Sequence, residues 1–247
     1  MKLNLTTLTM LILSIPATFA QTVVLWNFNG NNTIPTIGTG NVTTIGGVTN
    51  SGYNSGNGSS DTSSPNFGYQ TTTYPAQSTN SGTAGVRFDT STVGFTMLSY
   101  TGVQISFDLR LSNTSSRWYQ VDYTVDGGTN WTLGTPVRLG LNPNSGDTWF
   151  NNNTVVINDT ATLNNPNFGF RVVSVFSPLA FTEANSTTSY LPNTAYEVAR
   201  NTDRNYGGNG TWRFDMVTVT AIPEPATWLL LGAGLTALLV LRRRHQA

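Results

Sequence analysis

The sequence predicts an all-β fold, an antiparallel β-sandwich of jelly-roll-like form. An N-terminal signal peptide precedes it and a C-terminal single transmembrane helix follows. Three observations carry this expectation. Apolar and polar residues alternate over several short runs, as in Val103-Gln-Ile105-Ser-Phe107-Asp-Leu109-Arg-Leu111. Gly, Asn and Pro clusters separate those runs at short spacings. No stretch between residues 21 and 221 keeps a helical period, whereas both ends carry uncharged apolar segments.

Residues 1–20 begin with a cation at Lys2, continue through an apolar stretch from Leu8 to Ile15, and end Pro16-Ala17-Thr18-Phe19-Ala20. A positive start, a short apolar middle, a helix break and a small residue before the cut define a secretory signal peptide. The apolar middle is diluted by Thr6, Thr7 and Thr9 and is too short to span a bilayer stably. Cleavage is expected between Ala20 and Gln21, which exports residues 21–221 as one domain.

Within that domain, Gln21 to Phe28 alternates and is β-rich, which predicts a first strand. Residues 29–82 differ sharply: 38 of these 54 residues are Gly, Asn, Ser or Thr, and Asp61 is the only charge. Such a composition buries little apolar surface per ordered residue, so the segment reads as a long surface loop, with Val42–Val48 as a candidate edge strand. From Val86 onward the two-residue period dominates. Tyr119-Gln-Val121-Asp-Tyr123-Thr-Val125 repeats the pattern of Val103–Leu111, Asp126–Asn130 supplies a turn, and Trp131-Thr-Leu133 begins a return strand. Thr154–Ile157, Phe168–Phe176 and Trp212–Thr220 complete the set, the last shifting phase between Met216 and Val217 as a β-bulge does.

Composition excludes several chemistries. The exported domain carries eight arginines against eleven acidic residues and no lysine, so it has no basic face for nucleic acid. The chain has no cysteine, and its one histidine, His245, follows the C-terminal apolar run. A Ser-His-Asp triad, cysteine catalysis and His-based zinc sites are therefore not available to the domain. Paired carboxylates are the remaining enzymatic route, and the domain has two glutamates, Glu183 and Glu197. Asp108 and Asp122 fall on the polar phase of amphipathic strands, where a solvated carboxylate is the default. No catalytic residue and no cofactor are expected. A structural Ca²⁺ would suit the oxygen-rich loops Asp126–Asn130 and Asn142–Asp147, although both are sufficiently explained as turns. Tyr119 and Trp131 lie in phase with core positions. Trp118 is out of phase and Trp149 adjoins a Gly/Asp loop, so these two are the candidate sugar-binding residues.

Residues 222–247 form the C-terminal region. Pro223-Glu224-Pro225 precedes residues 226–241, sixteen residues without a charge, and then Arg242-Arg243-Arg244. As a helix, 226–241 extends about 24 Å, somewhat less than the ~30 Å of a bilayer's hydrocarbon core. The arginines snorkel at one end and act as a stop-transfer signal on the cytoplasmic side, in accord with an exported N-terminus. Trp228 suits the opposite interface. Two prolines around one residue keep the backbone extended and deny it helix hydrogen bonds, which makes a reachable stalk outside the membrane.

The tripeptide, the short apolar helix and the terminal arginine cluster together resemble the PEP-CTERM sorting signal of Gram-negative bacteria. The resemblance covers the last 26 residues or so. It implies recognition by an exosortase, a membrane-embedded cysteine protease or transpeptidase, with Pro223, Glu224 and Pro225 as the recognition element. It also implies a host that makes extracellular polysaccharide, and a processed protein at the cell surface or in the extracellular matrix. A plain single-pass anchor with a proline hinge is the alternative. The closing run Trp212–Ala221 loosely resembles the last strand of jelly-roll ectodomains joined to such tails. The leading expectation is a non-enzymatic, exported, membrane-anchored protein with a structural or adhesive sandwich, whose partners are exosortase, membrane lipid and exopolysaccharide. A carbohydrate-binding module is the second reading and a carbohydrate-active hydrolase the third.

Overall fold

In the computed structural model, residues 19–141, 147–200 and 202–224 are described. The predicted signal helix, the membrane helix 226–241, Pro225, Arg242–Arg244 and most of the Asn142–Asp147 loop lie outside them. Among the described residues no helix is long and apolar enough to cross a membrane. Ala20–Pro223 forms one compact unit.

The strands of that unit are, in chain order, β1 (Gln21–Trp26), β2 (Gly40–Ile45), β3 (Thr49–Ser55), β4 (Phe67–Thr72), β5 (Gly85–Thr90), β6 (Tyr100–Leu111) and β7 (Trp118–Thr124). They continue with β8 (Val137–Arg138), β9 (Thr148–Ile157), β10 (Gly169–Ser174), β11 (Phe181–Thr182), β12 (Ser189–Tyr190) and β13 (Trp212–Pro223). One antiparallel sheet has the order β3-β4-β13-β6-β9, with β1 also on β13; the other has the order β2-β5-β10-β7-β8. A small β11-β12 pair stands apart. The chain crosses between the two large sheets at β1–β2, β2–β3, β4–β5, β5–β6, β6–β7, β8–β9 and β9–β10, so most consecutive strands lie in opposite sheets, while β3–β4 and β7–β8 pair.

Alternation explains the core. Along β6, Val103, Ile105, Phe107, Leu109 and Leu111 are all buried and face inward. They meet Val86 and Phe88 of β5, Phe170 and Val172 of β10, and Tyr119 and Val121 of β7 in one cluster. Phe88 is the point of closest contact between the layers: its ring lies 4.9 Å from Phe170 in its own sheet, and 5.3 Å from Trp26 and 6.0 Å from Phe214 in the other. The two-residue period of β13 breaks at Met216, whose φ is +49°, and the β13–β6 register shifts between Asp215 and Thr218. This is the bulge expected from sequence. It returns Val217, Val219 and Ala221 to the core after Trp212 and Phe214 have already used the inward phase.

Two expectations are corrected. Residues 29–82 are not one long loop, because they contain β2, β3 and β4. A strand's ladder is made by backbone groups that Thr and Asn supply as well as Val does, and sparse anchors suffice: Val42, Val48, Tyr69 and Tyr74 are the segment's buried core contacts, and Tyr69 stacks on Phe28 at 5.4 Å. The return strand from Trp131 is reduced to a single bridge between Tyr123 and Thr132.

Phe214→Ala is expected to destabilise the domain by about 3–5 kcal/mol, because it empties a fully buried ring position that touches both sheets. Chemical denaturation measures this. A loss under about 1 kcal/mol would contradict the packing described.

Candidate functional site

The outer face of the five-stranded sheet carries charge in a fixed pattern. Val86 and Phe88 take the inward phase of β5, which leaves Arg87 and Asp89 on the outside. Register then places Arg171 beside Arg87, and Asp122 on the other flank of Arg171. Each arginine has its own carboxylate. The Arg87 Nε donates to the two Asp89 oxygens at 2.9 and 2.8 Å, and its Nη2 donates to the Gly127 carbonyl at 2.9 Å. The Arg171 Nε donates to Asp122 Oδ2 at 2.9 Å. Asp122 is fully buried and also accepts from Gln120 Nε2 at 2.6 Å and the Gly134 N–H at 3.1 Å.

Trp131 lies over this pair of cations. The guanidinium carbon of Arg171 is 4.4 Å from its ring centroid and that of Arg87 is 5.4 Å away. The two arginines are cross-strand neighbours, and Trp131 itself is half-buried. The preceding turn holds it there. Asp126 accepts from Asn130 N at 2.9 Å, Asn130 Nδ2 at 2.7 Å and Thr124 Oγ1 at 2.8 Å, and these bonds keep its carboxyl at a pKa of about 2. Adjoining Arg87 is an open cleft of about 300 Å³, whose lining includes Thr39, Asn41, Arg87, Asp89, Ser91 and Asn167. Hydroxyl, amide and paired charged groups give it hydrogen-bond donors and acceptors without a net field of one sign.

The outer face of the other sheet is closed by a strap, residues 56–66. Asp108 on β6 and Asp215 on β13 are direct cross-strand partners. The strap covers both: the Ser60 N–H donates to Asp108 at 2.5 Å and Ser59 Oγ donates to Asp215 at 2.6 Å. Asn66 Nδ2 ties the strap together by donating to Ser59 Oγ, the Asp61 carbonyl and the Gly56 carbonyl at 3.0 to 3.2 Å. Burial, then the charges of Asp61 and Asp108, push the Asp215 carboxyl up to about 7. Opposed carboxylates without a cation are unfavourable when both are charged, so this pair keeps a proton into the neutral range.

Several sequence-based placements change. Asp108 and Asp122 were expected in solvent but are 1% and 0% exposed, because each sheet's outer face is covered by chain from elsewhere. Trp118, expected at the surface, is 6% exposed in a small cluster with Val173 and Val175. The segment 175–198 covers it, and its Nε1 donates to Glu197 at 2.6 Å. Glu197 is itself 3% exposed and paired with Arg117 and Arg138, so it is part of a buried ion cluster. Burial, followed by the charge of Arg138, pulls the Arg117 guanidinium below its usual range. Glu183 accepts from Gln77 and Ser186 instead. Trp149 is half-buried on β9, and Gly58 sits against its ring so closely that a Cβ there would come within 2.9 Å. Trp131, expected in the core, is half-buried. Asp126 directs both carboxylate oxygens into its own turn, and Asp147 pairs with Arg110. Among the described residues no group of three or more His, Asp or Glu side chains could hold a metal ion. Arg87 and Arg171 were missed as site residues; the signal for them was charge on the polar phase of adjacent strands.

β13 ends at Pro223, and Glu224 is exposed beyond it. A β-sandwich leading directly into a Pro-Glu-Pro stalk is the architecture of an exported ectodomain that carries a C-terminal sorting signal. Residues 221–244 match the PEP-CTERM protein-sorting motif, which implies an exported, membrane-anchored surface protein processed by an exosortase. No curated protein matches the chain. Similar solved structures include the CBM22-1–GH10 modules of Clostridium thermocellum xylanase 10B complexed with xylohexaose, at 12% identity and a TM-score of 0.39, covering 80% of this chain and 28% of that one. The CBM22 tandem domain of Paenibacillus barcinonensis Xyn10C matches at 10% identity and 0.40, covering 81% and 50%. The K1 cleaved adhesin domain of Lys-gingipain from Porphyromonas gingivalis W83 matches at 12% and 0.37, covering 74% and 98%. The chain thus spans half or less of the first two proteins' lengths.

Asp215 has a testable pH signature. Its folded pKa of about 7 lies above the usual 3.8, so between these values the folded protein holds a proton that the unfolded chain has released. Its contribution to stability is therefore complete below about pH 4 and is lost as pH rises through 7. Asp215→Asn is expected to flatten that fall, measured as urea midpoints from pH 4 to 8; an unchanged slope in the variant would exclude Asp215 as its source.

Proposed function

We propose that this chain is a non-catalytic cell-surface or extracellular-matrix protein whose sandwich serves as an adhesive or structural module among exopolysaccharide. It is exported by the signal peptide, cut between Ala20 and Gln21, held by the helix 226–241 with Arg242–Arg244 on the cytoplasmic side, and released from that anchor by exosortase at the Pro223–Pro225 region. The observation that carries the reading is continuity: the sorting motif at 221–244 begins inside the last core strand, so the whole sandwich is its cargo. Placement of the carboxylates favours a non-catalytic role. Asp108, Asp122, Glu197 and Asp215 are all buried and engaged in holding loops or arginines.

The second reading, a carbohydrate-binding module, is favoured by one specific feature. Trp131 is a half-buried indole with the guanidinium groups of Arg87 and Arg171 against its ring, and the polar cleft beside Arg87 offers hydroxyl-matching groups. Such a pairing of stacking surface and hydrogen-bond rim suits a neutral saccharide. This moves the proposed sugar contact from Trp118 and Trp149 to Trp131.

Intact mass of the protein from its host, with and without the exosortase gene, tests the first reading. The expected result is loss of the C-terminal segment only when the enzyme is present, and an identical C-terminus in both would overturn it. A glycan array with the processed protein tests the second. Trp131→Ala is expected to weaken saccharide binding about tenfold, the equivalent of ~1.4 kcal/mol for one lost stacking contact. No binding by the unsubstituted protein would leave the structural role alone.

A further inference from the structure

The end of the sandwich where the chain leaves for its tail carries a set of exposed apolar side chains that the core does not use. The β5–β6 connection, residues 91–99, presents Val93, Met97 and Leu98 at 59%, 61% and 87% exposure. No residue from 90 to 107 is charged. Scattered exposed apolar residues are ordinary, but three within six positions on one loop form a patch.

Several backbone and hydroxyl groups of that loop are bonded within the protein, while Thr96, Met97 and Leu98 are exposed at its tip. The Thr92 N–H donates to the Asn165 carbonyl at 2.9 Å, and its hydroxyl donates to the Thr162 carbonyl at 2.5 Å. The Gly94 N–H donates to Asn164 Oδ1 at 3.1 Å, and the Ser99 and Tyr100 N–H groups donate to the Thr96 carbonyl at 3.1 and 3.0 Å. Phe95 folds back onto Tyr100, with ring centroids 5.4 Å apart. The Thr92, Gly94, Phe95, Ser99 and Tyr100 N–H groups thus have partners within the protein, and the apolar side chains at the tip gain by leaving water.

The position of the loop identifies what covers it. Tyr100 is the register partner of Pro223, the last residue of β13, and Leu98 is two residues from Tyr100. The uncharged run begins at Ala226, three residues past Pro223, a span of at most ~11 Å of extended chain. The loop thus lies at the end of the sandwich from which the chain runs on toward 226–241. A basic patch is not needed for this contact, since the loop is neutral and the interaction is with acyl chain and interface rather than with anionic headgroups.

We propose that Val93, Met97 and Leu98 form a lipid-docking rim that seats the sandwich on the outer surface of the membrane while the tail is intact, and so presents Pro223-Glu224-Pro225 at the depth where a membrane-embedded processing enzyme works. This rests on the sorting-signal reading. It gives the rim a use before cleavage and explains why a secreted domain keeps such a patch at this one end.

The chain has no cysteine, so single labels are clean. Full-length protein carrying Leu98→Cys, or Asn209→Cys at the opposite end, is labelled with an environment-sensitive fluorophore and reconstituted into phosphatidylcholine–phosphatidylglycerol vesicles containing a lipid-borne quencher. The Leu98 probe is expected to shift to the blue and to be quenched several-fold more than the Asn209 probe. Adding Met97→Asp should bring its quenching down toward the Asn209 level. Equal quenching at the two positions in protein that floats with the vesicles overturns the docking rim and leaves the anchor intact. Failure of the full-length chain to float with vesicles overturns the anchor and the rim together.

Discussion

The pairing of β13 with three neighbours is the constraint on which the rest of the molecule depends. Trp212–Phe214 pair with β4, Val217–Ala221 pair with β1, and nearly the whole length pairs with β6. β4 and β1 cannot occupy the same edge at the same height, and the bulge at Met216 lies between their two territories. One irregularity thus reconciles two partners and resets the inward phase, so that five side chains of a single strand reach the core. Because this strand runs into the tail, the sandwich cannot be complete until the residues next to the sorting motif are in place.

Four buried acids show two ways of keeping a carboxylate from water. Asp122 and Glu197 are matched by arginines, Arg171 for one and Arg117 with Arg138 for the other, and additional donors fill their remaining lone pairs. A buried charge needs such matching to avoid its desolvation penalty. Asp108 and Asp215 have hydrogen bonds from the strap instead of a cation, and retention of a proton on the pair replaces the missing positive charge. In the second kind of site, Asp215 is a local titration built into the cover of the sheet.

The polar cleft and the apolar rim meet at Ser91, which lines the one and opens the loop of the other. Both surfaces therefore lie at the end of the sandwich where β13 finishes.

Much of the fold was legible in the chain. The alternation of Val103–Leu111 and Tyr119–Val125, the phase break at Met216 and the C-terminal sorting motif follow from local pattern and charge, and each needs only its own neighbours in sequence. Of the strands among residues 29–82 only the first was legible, as the candidate edge strand Val42–Val48, which β2 overlaps at the edge of its sheet; β3 and β4 were not, because they are held by backbone pairing with each other and with distant β13 and not by their own apolar content. The site was hidden for a related reason. Whether an out-of-phase residue meets water depends on what lies across the sheet's outer face: the strap at 56–66 buries Asp108, the segment 175–198 buries Trp118, and the turn at 126–130 lifts Trp131 out of the phase its neighbours predict. Local sequence determined which side of a strand each residue takes and where the chain is sent. Only the tertiary structure decided which of those sides remain exposed, since covering a face is an act of residues far away along the chain.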